Sequence, residues 1–126
     1  MEPFHVLLVD DEKEFATTLS ERLEIRGLKV SVAFNGNDAL RWMEEKRFDV
    51  IVADVRMPGF SGLDLLRHIK SRKIGTPVIL LSGYSALQEA IEGMHLGAFD
   101  YLIKPVDIEQ LMEKMREAVE NKSSGG

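Results

Sequence analysis

Cysteine is absent from the 126 residues. That removes disulfides, thiolate metal sites and thiol catalysis together, and it suits a reducing compartment. Long apolar runs are absent too, because nothing approaches the roughly 18–20 residues that a membrane-spanning helix needs. The opening Met1-Glu2-Pro3-Phe4-His5 lacks the basic segment followed by an apolar one that marks a signal peptide. The expectation is a cytoplasmic protein without a membrane partner. Positive charge is in short supply. Lys and Arg number 16 against 21 Asp and Glu, a net charge of −5. No basic surplus exists to neutralise phosphates, so no direct nucleic-acid binding is expected of this stretch. What remains is ordinary for a soluble globule, 44% hydrophobic and 29% charged, and the length suits one domain with its own core.

Hydrophobic periodicity divides the chain into alternating strands and helices. Residues 5–10 form a short apolar run ending in acids, the pattern of a strand buried on both faces. From Glu12 the spacing becomes helical, with Phe15, Leu19, Leu23 and Ile25 on one face and Gly27 as the stop. Residues 28–34 alternate, which predicts a half-exposed strand at a sheet edge. Asn35 or Asn37 then caps a second helix, where Trp42 packs or shields an edge. Residues 48–55 predict a third strand, 77–82 a fourth and 99–104 a fifth. Helices are expected from Leu63, over 86–96, and after the cap Asp107. Residues 1–121 thus make one α/β domain with five strands and five helices, and 122–126 (Lys-Ser-Ser-Gly-Gly) a flexible tail or the start of a linker. Short connections between strands and helices favour a doubly wound parallel sheet with right-handed crossovers.

Ligands of such sheets bind outside the carboxyl ends of the strands. The first strand ends there in Asp10-Asp11, the third in Asp54, the fourth in Ser82 and the fifth in Lys104. Any one of these is ordinarily a turn former, a cap or a solvated side chain. Their coincidence at one end of the sheet is less ordinary, because crowded carboxylates repel and one pKa must rise. A divalent cation relieves the repulsion, and an all-oxygen donor set points to a hard ion such as Mg²⁺. His5, His68 and His95 have no metal-ligand spacing.

From about residue 4 to residue 121 the chain resembles the receiver domain of two-component response regulators. The resemblance rests on Val9-Asp10-Asp11, on Asp54 with Met57-Pro58-Gly59, on Ser82-Gly83 and on Tyr101-Leu102-Ile103-Lys104-Pro105. It implies a flavodoxin-like sheet of strand order 2-1-3-4-5, and it assigns roles by position. Asp54 resembles the phosphoacceptor, which takes a phosphoryl group from a phosphohistidine on a sensor histidine kinase or a histidine phosphotransfer protein. Asp11 resembles a direct Mg²⁺ ligand and Asp10 one acting through water, with Asp54 and the backbone carbonyl of Arg56 completing the protein's share. Lys104 resembles the residue that pairs with phosphoryl oxygens, Ser82 the switch hydroxyl and Tyr101 the switch aromatic. The Lys104–Pro105 bond resembles one that is cis in the family.

The resemblance further implies a switch rather than an enzyme with its own substrate. Phosphorylation would reshape the face built from the fourth helix, fifth strand and fifth helix, for a downstream output protein or domain to read. The same face admits a homodimer. Arg56 and Tyr84 resemble two positions that set the phosphate's lifetime, and both are bulky here, so self-hydrolysis is expected to be slow.

Two other classes fit less well. A small-molecule phosphatase of the haloacid-dehalogenase type also forms an aspartyl phosphate, but it needs a second Asp two residues after the first, where this chain has Glu12. A flavodoxin-like FMN binder cradles phosphate in a hydroxyl-rich loop, where this chain has Asp10-Asp11-Glu12-Lys13-Glu14.

Overall fold

The computed structural model describes residues 3–124. Five parallel strands, β1 (His5–Val9), β2 (Lys29–Ala33), β3 (Val50–Asp54), β4 (Val78–Ser82) and β5 (Asp100–Ile103), form one sheet. Their order is β2-β1-β3-β4-β5, as the resemblance implies. Between and after them run α1 (Lys13–Ile25), α2 (Gly36–Glu45), α3 (Gly62–Ser71), α4 (Leu87–His95) and α5 (Ile108–Ser124). A 3-10 turn over Tyr84–Ala86 leads into α4, which is why that helix starts a residue later than its apolar spacing suggests.

The period-2 pleat sorts the sheet's side chains into two cores. Leu7, Ile51, Ala53 and Leu80 face α2, α3 and α4, whereas Leu8, Val50, Val52 and Ile79 face α1 and α5. Strands β1, β3 and β4 are apolar except for His5 at the start of β1 and Asp54 and Ser82 at the ends of β3 and β4, because both faces are covered. Strand β2 lies at an edge, as its alternation predicts, and Trp42 shields it by donating from Nε1 to the Val32 carbonyl at 3.0 Å.

Local chemistry sets the ends of the helices. Asn35 caps α2 through the Asp38 N–H at 2.8 Å, and Ser61 caps α3 in a reciprocal pair with Asp64. Asp107 accepts from the Glu109 N–H at the start of α5. Helix α1 ends at Gly27, whose φ of 93° is one that only glycine adopts without strain.

Two expectations need correction. Ile25 is 82% exposed rather than on the apolar face of α1. It lies two residues beyond Leu23, about 200° around the helix, and the buried stripe runs instead through Ala16, Leu19 and Leu23. Helix α5 continues to Ser124, into the stretch that composition assigns to a tail. Once the docked turns exist, each added residue gains a backbone hydrogen bond without a new nucleation cost. Gly125 and Gly126 lie outside the described residues.

Candidate functional site

The sheet order creates a crevice between β1 and β3, where the chain leaves in opposite directions to β2 and to β4. Asp10 follows β1 and Asp54 ends β3, so both stand at that switch point. Asp54 lies opposite Leu81 in the β3–β4 register, which puts Ser82 one step beyond it. Lys104 is held beside Ser82 by its own N–H, which donates to the Ser82 carbonyl at 2.8 Å. Four strands therefore deliver Asp10, Asp54, Ser82 and Lys104 to one end of the sheet.

The Lys104 ammonium sits among three carboxylates. Its Nζ lies 2.8 Å from Asp10 Oδ2, 2.6 Å from Glu12 Oε1 and 3.2 Å from Asp54 Oδ2. Asp10 is fully buried and Asp54 nearly so. Asp10 Oδ1 accepts from the Glu12 N–H at 2.9 Å, and Asp54 Oδ1 accepts from the Arg56 N–H at 3.2 Å. Burial pushes the Asp54 carboxyl up to about 6, and the neighbouring Asp10 charge adds to the rise, against the pull of Lys104. Burial alone would lower the Lys104 pKa. Its bonds to Asp10 and Glu12 and the charges of Asp10 and Asp54 override that, and the net shift is upward.

One ammonium does not balance three carboxylates, and this imbalance suits a cation. Oxygens of Asp10, Glu12 and Asp54 lie within 4.8 Å of one another. Asp10 Oδ2 is buried and, apart from its ion pair with Lys104, has no hydrogen-bond partner. A buried carboxylate oxygen so placed among oxygen donors fits a hard divalent ion. Asp11, the expected direct ligand, is exposed and stands outside this group, and Glu12 is inside it. Nothing in the spacing distinguished the two. The adjacent acids Asp10-Asp11 drew attention, while Glu12 reaches the pocket because its backbone is turned back by the Asp10 carboxylate.

The remaining expected residues sit around this pocket. Ser82 is fully buried and its hydroxyl donates to the Gly83 carbonyl at 2.7 Å. Tyr101 is half-buried and packs against the core on the α4 side. The Lys104–Pro105 bond is cis. The Arg56 side chain spans from the β3–α3 loop to the start of α4, donating to the Ser85 carbonyl at 3.0 Å and Glu89 Oε1 at 2.9 Å. That contact holds the Glu89 carboxyl below its usual range. Tyr84 is 77% exposed.

Gly62 opens α3 directly under the Asp54 backbone. A Cβ there would lie 2.2 Å from the Asp54 carbonyl oxygen, a backbone atom that cannot rotate away. Gly62→Ala is therefore expected to cost about 3 kcal/mol, at the upper end of ordinary overpacking. Urea denaturation of the two proteins measures it, and equal midpoints would show that the loop yields without strain.

Comparison with known proteins bears on this arrangement. A family model for the response regulator receiver domain matches residues 6–116. The chain is 37% identical over 119 residues to the uncharacterized transcriptional regulatory protein YkoG of Bacillus subtilis (strain 168), covering 94% of this chain and 52% of that protein. It is 37% identical over 114 residues to the transcriptional regulatory protein ZraR of Salmonella typhimurium, covering 90% of this chain and 26% of that one. The chain thus spans between a quarter and about half the length of these relatives. Among solved structures, a response regulator receiver domain protein from Clostridium thermocellum superposes with a TM-score of 0.92 at 35% identity, covering 98% of this chain and 99% of that one. The receiver domain of NtrX from Brucella abortus gives 0.86 at 27% identity, covering 91% and 98%.

Proposed function

The chain belongs to the response regulator receiver domain family, and from that premise we propose that Asp54 is its phosphoacceptor and that Ser82, Tyr101 and Lys104 carry the response. Receivers of this kind serve phosphorylation-dependent signalling and are regulatory rather than metabolic proteins. The observation that carries the assignment is the position of Asp54, at the switch point of the sheet, nearly buried, with one oxygen on the Arg56 N–H and the other on Lys104.

An Asp54 oxygen attacks the phosphorus of a phosphohistidine on a partner kinase or phosphotransfer protein. The P–N bond breaks, the imidazole leaves with the electron pair and takes up a proton, and an acyl phosphate remains. Such a transfer needs alignment and charge neutralisation more than covalent machinery. Asp10, Asp11, Asp54 and the Arg56 carbonyl are the expected holders of Mg²⁺, with Glu12 a further carboxylate within reach. The ion supplies positive charge for the phosphoryl oxygens.

Lys104 then exchanges its Asp54 contact for a phosphoryl oxygen. The Ser82 hydroxyl turns from the Gly83 carbonyl to the new anion, and Tyr101 moves into the vacated space. The face of α4, β5 and α5 changes with it, for an output domain or protein to read. The Ser82 contact is the interaction that differs between the two states, as any population shift requires.

Intact-mass spectrometry after incubation with acetyl phosphate, with and without Mg²⁺, tests the reading. Gain of one phosphoryl mass by the parent with Mg²⁺, and none by Asp54→Ala, is the expected result. A gain retained by Asp54→Ala would reassign the acceptor.

A further inference from the structure

The Lys104 ammonium meets three anions and an aromatic ring. Its Nζ lies 4.4 Å from the centroid of Phe15, the closest of the three cation–ring contacts described and the one nearest the acidic pocket. Phe15 is half-buried in the first turns of α1 and packs against the core on the α5 side. By helical spacing alone it is an apolar face residue. The structure gives it a second neighbour, the ammonium that ion-pairs with Asp10, Glu12 and Asp54.

We infer that Phe15 is a positioning residue for phosphoryl transfer, holding the Lys104 ammonium over Asp10 and Asp54 by a cation–ring contact. This rests on the proposed role of Asp54. In the resting pocket Lys104 is shared among Asp10, Asp54 and Glu12, and Glu12 is the exposed partner, with 63% of its side chain accessible. When Asp54 is phosphorylated the negative charge moves from its carboxylate to the phosphoryl oxygens, and the ammonium must follow it there rather than follow Glu12 toward solvent. A carboxylate behind the lysine would compete with the phosphoryl group for it. The ring face attracts the cation but carries no net charge, so it holds Nζ in place without weakening its pull on the incoming anion. An aliphatic side chain of similar size fills the same space and lacks that attraction.

The experiment compares the parent, Phe15→Leu and Phe15→Tyr in the parent and Lys104→Met backgrounds. Mg²⁺-dependent phosphoryl uptake from acetyl phosphate is timed by intact mass, and the Lys104 ε-methylene proton shifts are read by NMR. Phe15→Leu is expected to slow uptake about fivefold, and Phe15→Tyr to stay within about twofold of the parent. The fivefold loss disappears when Lys104 is already methionine, because the ring then has no cation to hold. The ε-methylene protons are expected to be displaced upfield by the ring current in the parent and in Phe15→Tyr, and to lose that displacement in Phe15→Leu. An equal loss in both backgrounds would assign Phe15 to packing and overturn the inference, as would undisplaced Lys104 protons in the parent. If the parent takes up no phosphoryl group, the acceptor reading fails, and the proton shifts alone decide the role of Phe15.

Discussion

Lys104→Met should melt about 10 °C below the parent in EDTA, and added Mg²⁺ should recover more stability in the variant than in the parent. The substitution keeps the length of the side chain, and so most of its packing, and deletes the only positive charge that ion-pairs with Asp10, Glu12 and Asp54 among the described residues. Breaking a buried ion pair on one side costs 3–5 kcal/mol when the remaining charge has no other outlet. Here an outlet exists. Asp54 already titrates near 6 because of burial and Asp10, and without Lys104 it takes up a proton more readily still. Glu12 is exposed and turns to water. About 3 kcal/mol is therefore the expected cost, which for a domain of this size corresponds to roughly 10 °C. Mg²⁺ held by these carboxylates, as proposed, would stabilise the folded state by mass action. It gains more where the carboxylates have no competing ammonium. Differential scanning calorimetry in EDTA and in excess Mg²⁺ reads both effects. Equal melting temperatures in EDTA would mean that the ion pairs with Lys104 contribute nothing net.

The fold was legible because its determinants are local. The alternation of apolar runs with helical spacing, the caps Asn35 and Asp107, and Gly27 all act over a few residues, and each is where its chemistry predicts. The strand order came from resemblance, since periodicity states that a strand is buried and not which strand lies beside it. Ile25 shows the limit of reading a helix by eye. It is apolar and close in sequence to the buried Leu23, yet the 3.6-residue period turns it to the opposite side, toward solvent.

The site was legible to the extent that it is built from strand ends. Asp10, Asp54, Ser82 and Lys104 are delivered by the sheet itself, so knowing where each strand stops is enough to bring them together. Glu12, Phe15 and the reach of Arg56 to Ser85 and Glu89 are not of this kind. They depend on how a loop turns and how a helix is rotated after the strand ends, and that rotation brings Glu12 to Lys104 while Asp11 is exposed. Spacing carries no such information. The pocket's charge imbalance, by contrast, was visible in the sequence, and it has a consequence for stability.

Asp54→Asn is expected to abolish phosphoryl acceptance and, in the same molecule, to raise stability at neutral pH by about 2 kcal/mol. An unfolded Asp titrates near 3.8, and Asp54 in the folded protein near 6, raised by burial and by Asp10. The folded state therefore binds this proton more tightly than the unfolded state. Stability is greatest below the unfolded value, falls as pH rises from about 4 to about 6, and stays low above that. The difference of roughly two pKa units corresponds to about 3 kcal/mol at pH 7. The asparagine keeps the oxygen that accepts from the Arg56 N–H, and the pull of Lys104 is already contained in the net rise; burying the polar amide itself reduces the gain to about 2 kcal/mol. Urea titrations of parent and variant in EDTA at pH 4 and pH 7 decide the matter. The variant should be more stable at pH 7, and the two should converge at pH 4, where the parent's Asp54 is protonated. Mg²⁺ should narrow the gap at pH 7 from the parent's side, since the variant lacks one of the carboxylates that could hold it. A parent at least as stable as the variant at pH 7, or a gap of the same size at both pH values, would show that the buried carboxylate carries no such penalty. The opposite signs expected for Lys104→Met and Asp54→Asn have one origin. The pocket holds more negative charge than its own lysine can neutralise, and the residue proposed as the phosphoacceptor is also the one whose burial costs stability.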